Sequence, residues 1–152
     1  KVVKILMMLY ILNILKIMKI TVCRKSHFNA AHKLVNQNWS NDKNLKVFGK
    51  CSYDNYHGHN YELIVKLNGD IDPDTGMVMD LSVLKKIIKK EVEDVLDHRN
   101  LNLDIPYFKD RVPSTENLAV FIWNKLNDAI EMECNLSIVL FETPRNFVEY
   151  SG

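Results

Sequence analysis

Cysteine is scarce in this chain: Cys23, Cys51 and Cys134 are the only three, with no Cys-x-x-Cys pair among them. An odd, irregularly spaced set excludes a secreted disulfide scaffold and points to a reducing compartment, the cytoplasm. Glycine (5) and proline (4) are also few, which excludes collagen-like and linker-rich organisation. An excess of one charge is missing too. Lys and Arg number 20 and Asp and Glu 19, leaving net +1, so the chain carries neither a basic nucleic-acid footprint nor an acidic disordered tail. What is present is 152 residues, 47% hydrophobic and 26% charged, enough for one globular domain with a sizeable core. The expected partner is a small molecule or another protein.

Residues 1–18 are the compositional anomaly, almost wholly apolar and broken by Lys4, Asn13 and Lys16. No small-residue cleavage site follows, as a signal peptide requires. The stretch is also short and charge-interrupted for a membrane helix of about 20 residues. Met18 precedes a strand-like run, so residues 1–18 are expected to be an N-terminal extension outside the functional domain, with a membrane anchor as the other reading. The functional domain is expected over 19–152.

Within that domain, Lys19–Phe28 has the β-branched content of a strand, which His32 ends, and a polar loop is expected from Asn36 to about Lys50. His59–Leu67 reads as a second strand, with Tyr61, Leu63, Val65 and Leu67 on one face. Asp80 is a natural cap for a helix from Leu81 to about Leu96, with Leu81, Leu84, Ile88, Val92 and Val95 as its apolar stripe. Ser114 or Thr115 caps a second helix carrying Leu118, Phe121, Ile122, Leu126 and Ile130. Leu136–Phe141 and Phe147–Tyr150 close the chain as a strand pair around Thr143–Asn146. The order β-β-α-α-β-β predicts an α+β fold, a four-stranded antiparallel sheet with two helices on one face. Its other face needs a cover, most simply another copy.

His57-Gly-His59 is the sharpest local feature. Residues two apart on a strand share a face, so both imidazoles can converge on one ion, and Gly58 leaves the other side clear. A catalytic zinc takes three protein ligands and keeps one position open; His32 is the candidate third if the first two strands pair. Without a metal, the two histidines are an ordinary polar pair. Cys51 lies six positions before His57. Beside a metal or Lys50 it can serve as base or nucleophile, or close the site as a fourth ligand; the plain alternative is a buried structural thiol. Asp97 precedes His98 and can orient its imidazole, although an exposed histidine at a helix C-terminus is equally natural. Glu142 is an acid at the edge of an apolar run. A carboxylate there can accept two N–H donors from a heterocycle edge, or simply end a strand in solvent. His27 has no partner in sequence and reads as structural.

These features occur together in one order: Phe28-x-Ala-x-His32, Phe48-Gly-Lys-Cys51, His57-Gly-His59-Asn-Tyr, Ile71-Asp-Pro-x-Thr-Gly-Met-Val-Met79, Leu96-Asp-His98, Ser114-Thr-Glu-Asn117 and Glu142-Thr. The combination closely resembles the 6-pyruvoyl-tetrahydropterin synthase family over essentially the whole chain after Met18. The resemblance implies the tunnelling fold, with subunits joined edge to edge into a trimeric barrel and two trimers stacked as a homo-hexamer. It implies Zn²⁺ on His32, His57 and His59. It also implies Cys51 as catalytic base, and Asp97 with His98 completing a relay across a subunit interface. Glu142 would anchor the pterin edge, with Thr115 and Glu116 nearby; being distant from the histidines along the chain, it is expected to leave the metal untouched. The implied reaction is a lyase step on 7,8-dihydroneopterin triphosphate, triphosphate elimination with internal redox of the side chain. That is a step of tetrahydrobiopterin biosynthesis. The related 6-carboxytetrahydropterin synthase of queuosine biosynthesis shares the substrate and is the alternative. Its Cys-to-His spacing is usually shorter than the five residues 52–56 found here. A catalytically silent zinc- or pterin-binding oligomer is a third reading, against which Cys51, Asp97 and His98 argue.

Overall fold

The computed structural model describes residues 19–152 together with Lys4, Leu6 and Met7; the apolar extension expected over 1–18 otherwise lies outside the described residues. Two long strands, β1 (Lys19–His32) and β2 (His57–Asp70), form the centre of the molecule. They pair antiparallel along their whole length, from Lys19 opposite Asp70 to His32 opposite His57. Period-two alternation then decides what each face carries. Tyr61, Leu63, Val65 and Leu67 are all fully buried on one side of β2, and Phe28 and Ala30 join them from β1. A Cβ on Gly58 would stand 3.2 Å from the Ala30 carbonyl oxygen, so glycine lets the two strands approach just where the histidines begin.

The sheet has five strands rather than the expected four, in the order β3-β1-β2-β4-β5. The additional β3 is the dipeptide Arg99–Asn100, parallel to β1 through Ala30 and Ala31. Two residues carry no alternation, so nothing in sequence marks them. On the other side β4 (Asn135–Phe141) pairs antiparallel with β2, and β5 (Phe147–Tyr150) with β4.

The segment expected as a polar loop contains a helix, α1 (Asn41–Phe48), followed by a 3₁₀ turn (Gly49–Ser52). Ser40 caps α1 by accepting from the Lys43 N–H. The buried Asn44 amide donates to the carbonyls of Asn36 and Ser40, while its own oxygen accepts from the Asn36 N–H. This helix is held by polar caps, and its Leu45 and Val47 are exposed. Without an apolar stripe, periodicity could not reveal it.

The next helix, α2 (Leu81–Ile88), starts at Asp80, whose carboxylate accepts from the Ser82 N–H. The sequence predicts one regular helix to Leu96. The backbone instead widens into a π-turn (Lys89–Glu93) before α3 (Asp94–Leu96). Buried positions accordingly recur every four residues, Leu84, Ile88, Val92 and Leu96. Leu81 is exposed and Val95 only half-buried. Glu93, on the π-turn, accepts a short hydrogen bond from the Ser26 hydroxyl of β1, which ties the widened turn to the sheet. A short α4 (Leu101–Asp104) and a 3₁₀ turn (Pro106–Phe108) lead to α5 (Thr115–Ala129), capped by Ser114, one of the two expected caps. Leu118, Ile122 and Leu126 of α5 meet Leu84, Ile88 and Val92 over the inner sheet face in one continuous core.

Candidate active site

The β1–β2 register sets His57 directly opposite His32 and His59 opposite Ala30. Each of the three lies on the inward face at the end of its strand, so the imidazoles converge at the rim of the core. Their ring centres are 4.7 Å (His32–His57), 5.1 Å (His32–His59) and 5.2 Å (His57–His59) apart. One nitrogen from each lies within 4.8 Å of the others.

His32 is almost wholly buried. Its Nδ1 lies 2.8 Å from the Pro113 carbonyl oxygen. A carbonyl can only accept, so Nδ1 carries the proton and Nε2 presents a lone pair. That Nε2 is buried and has no hydrogen-bond partner among the described residues. A buried polar atom left unpaired costs roughly 1–3 kcal/mol, a cost that a cation at the centre of the three rings removes. Desolvation holds the pKa of His32 below its ordinary value, reinforced by its two neighbours and opposed by the Pro113 carbonyl. Desolvation lowers His59 as well. Neutral imidazoles are the form that ligates. The three residues therefore fit a divalent metal, and Pro113 supplies the outer hydrogen bond that fixes a metal-binding histidine.

Glu142, expected far from this cluster, is beside it. Its Oε1 lies 3.8 Å from Nε2 of both His32 and His59, and the Thr115 hydroxyl donates to the same oxygen at 2.9 Å. Chain distance was misleading because β4 pairs with β2 and delivers Glu142 to the histidine end, one residue past the pair Glu62–Phe141. Thr115, Glu116, Glu142 and Arg145 line a cavity of about 300 Å³, at the small end of ligand-binding clefts. Tyr61 is packed against the histidines from the core, its ring centre 5.7 Å from that of His59. Its hydroxyl lies 3.5 Å from His32 Nδ1, and burial, then the Glu142 charge, raises its pKa. Two residues past His59 on the same face, Tyr61 was legible as core but not as part of the site.

Cys51 sits in the 3₁₀ turn and is half-buried, a free thiol outside the group of three nitrogens. Its carbonyl accepts from the Leu34 N–H at 2.8 Å, which anchors it two residues beyond His32. Asp97 and His98 form a pair, Oδ2 to Nδ1 at 2.9 Å. Asn29 of β1 clamps them: its N–H donates to Asp97 Oδ1 at 2.8 Å, and its carbonyl accepts from the His98 N–H at 2.7 Å. The Asn29 bond, then His98, holds the Asp97 carboxyl below the usual range. His98 adopts φ 58°, uncommon for a residue with a Cβ, and its side chain is 79% exposed. It shares a cavity with Ala30, Gly58, His59 and Asn60 at the β1–β3 edge of the sheet. Within one subunit the structure thus brings together His32, His57, His59, Glu142 and Thr115, and holds Asp97 and His98 at the β1 edge, outside the group of three nitrogens.

Comparisons with known proteins agree with this geometry. A family model described as 6-pyruvoyl tetrahydropterin synthase matches residues 21–152. The 6-pyruvoyl tetrahydrobiopterin synthase of Pongo abelii is 47% identical over 131 residues, 86% of this chain and 90% of that one. A solved 6-pyruvoyl tetrahydropterin synthase from Caenorhabditis elegans superposes with TM-score 0.85 at 39% identity, covering 90% of this chain and 98% of that one. The 6-carboxy-5,6,7,8-tetrahydropterin synthase of Haemophilus influenzae is 33% identical over 126 residues, 67% of this chain and 84% of that one.

Proposed function

Because this chain belongs to the 6-pyruvoyl tetrahydropterin synthase family, we propose that it converts 7,8-dihydroneopterin triphosphate to 6-pyruvoyl-tetrahydropterin, releasing triphosphate, at the centre formed by His32, His57 and His59. The observation that carries this reading is the buried, partnerless Nε2 of His32 facing two further imidazoles beside the Glu142 carboxylate. We take the ion to be zinc, which suits three nitrogen ligands with an open position. When bound, it supplies Lewis acidity toward the substrate's side-chain hydroxyls.

The chain's own groups do the rest. Glu142, steadied by Thr115, accepts the paired N–H donors of the pterin edge, a charge-assisted contact, with Glu116 at the same cavity. Cys51 Sγ takes a proton from the substrate side chain, and the Asp97–His98 pair exchanges protons at the neighbouring carbon. Because that pair is held at the β1 edge of the sheet, with the His98 side chain 79% exposed, it serves a neighbouring copy. The sheet leaves room for one: β1 pairs with β3 only through Ala30 and Ala31, and β5 ends the sheet on the other side. Joining such edges closes a barrel, and a hexamer of two such trimers is the assembly proposed. The three free thiols suit a reducing cytoplasm, and no helix of the described residues is long and apolar enough to cross a membrane.

Mass spectrometry of the product from 7,8-dihydroneopterin triphosphate tests the reading. A pyruvoyl product is expected. A 6-carboxy product, or no triphosphate release by metal-loaded protein, would overturn it.

A further inference from the structure

A second cavity, of about 340 Å³, has no part in the roles assigned above; Lys33, Gln37, Tyr56, Lys109, Arg111 and Val112 are among its walls. Its charge is one-sided. Three cations, Lys33, Lys109 and Arg111, face it with Asp110 as the only carboxylate. Among the described residues none of the three cations is within ion-pair distance of a carboxylate. They are held by groups that leave their charge unneutralised. The Lys33 ammonium stands 5.5 Å from the centre of the Tyr56 ring. The Arg111 guanidinium stands 4.4 Å from the centre of the Tyr107 ring and donates to the Tyr107 carbonyl at 3.3 Å. Gln37 Nε2 donates to the Lys109 carbonyl at 2.9 Å, fastening that segment across the cavity. Like charges gathered around one concave surface repel one another and focus a positive potential into it, so the arrangement suits a multiply charged anion.

Its position is specific. Lys33 follows His32, Tyr56 precedes His57, and Val112 precedes the Pro113 whose carbonyl holds His32. Two walls are therefore one residue, about 3.8 Å of backbone, from a histidine of the centre, and the third is one residue from the carbonyl that holds His32. The same stretch continues to Thr115, which lines the Glu142 cavity. Val112 and Thr115 thus belong to two different cavities, one cationic and one built around a carboxylate, with the Pro113 contact to His32 between them.

We propose that the cationic cavity receives the triphosphate arm of the substrate while the ring occupies the Glu142 cavity, and that Lys109 and Arg111 make this chain select a triphosphate ester over a monophosphate. The assignment rests on the reaction proposed above for the ring and side chain. Charge-assisted contacts from three cations, one of them a fork-shaped guanidinium, favour the longer and more highly charged anion.

Equilibrium dialysis of metal-loaded protein against inorganic tripolyphosphate and orthophosphate tests it, with metal content measured in every sample. Lys109 and Arg111 are exposed, so their substitution leaves the core intact. Wild type is expected to bind tripolyphosphate more tightly than orthophosphate. K109E/R111E is expected to bind tripolyphosphate about tenfold or more weakly with unchanged metal content. K109R/R111K, which keeps both charges, should lose clearly less tripolyphosphate affinity than K109E/R111E. Equal tripolyphosphate affinity in wild type and K109E/R111E, or no preference of wild type over orthophosphate, overturns the proposal. Product analysis is read separately: a chain that fails to make the pyruvoyl product removes the assigned reaction, whatever the dialysis shows for the cavity.

Discussion

The Glu142 carboxylate lies 3.8 Å from Nε2 of His59, and equally far from Nε2 of His32. One carboxylate oxygen thus faces two of the three convergent imidazoles while it accepts from Thr115. The carboxylate proposed to anchor the pterin and the histidines proposed to hold the metal are therefore contiguous.

Glu142→Gln is therefore expected to act on both. The amide offers one acceptor and one clashing donor, so pterin affinity should fall about tenfold or more, by the cost of stranding buried donors. Loss of a negative charge beside the cation should also weaken metal retention by a few-fold. Calorimetric titration with a pterin and dialysis against a chelator check the two effects. Unchanged pterin affinity would return Glu142 to an ordinary strand-end charge.

Metal-free protein should lose stability on mild acidification. His32 and His59 have folded-state pKa values below the ordinary 6.5, chiefly through desolvation. Between those lowered values and about 6.5 the unfolded chain binds more protons than the folded one, so stability rises with pH across that window. It is complete above about 6.5, falls as pH drops through the window, and levels off below it. Asp72, Asp80 and Asp97, also shifted down, start from 3.8 and act at lower pH. Denaturant midpoints at pH 7.5 and 5.5 check this, and equal midpoints would contradict it. Bound metal should move the loss to lower pH, because protons must then compete with the ion.

Cys51→Ala should abolish turnover while metal content and oligomer size stay unchanged, since Sγ is outside the group of three nitrogens. Metal analysis beside a triphosphate-release assay distinguishes the cases. A variant that loses its metal identifies Cys51 as a fourth ligand.

A chain beginning at Met18 should keep its fold and full metal content. The pairing that positions the histidines starts at Lys19 opposite Asp70, and no candidate site residue precedes it. Metal content and circular dichroism of the shortened chain check this, and loss of either would place the apolar segment inside the fold.

Much of this molecule was legible from local pattern. The alternation of Tyr61, Leu63, Val65 and Leu67 announced a buried strand face, and the caps at Asp80 and Ser114 announced two helices, because these signals lie within a few residues of what they determine. His57 and His59 were a convergent pair for the same reason. Elements without a local signal were missed. The dipeptide β3 is defined by its pairing with Ala30 and Ala31, α1 is held by polar caps, and Glu93 on the π-turn accepts from Ser26, a residue of β1 remote in sequence.

The sequence by itself determined the inventory: a nearly neutral α+β domain carrying three candidate ligand histidines, a carboxylate at Glu142 and a thiol at Cys51. Tertiary structure decided their adjacency. Only the β1–β2 register sets His32 opposite His57, only the pairing of β4 with β2 brings Glu142 within 3.8 Å of two imidazoles, and only the passage of Pro113 over β1 fixes which nitrogen of His32 is free. Spacing along a chain constrains neighbours within a turn or a strand. Contacts between residues tens of positions apart depend on how strands pair, which is decided by burial of the whole sheet face and not by any one segment.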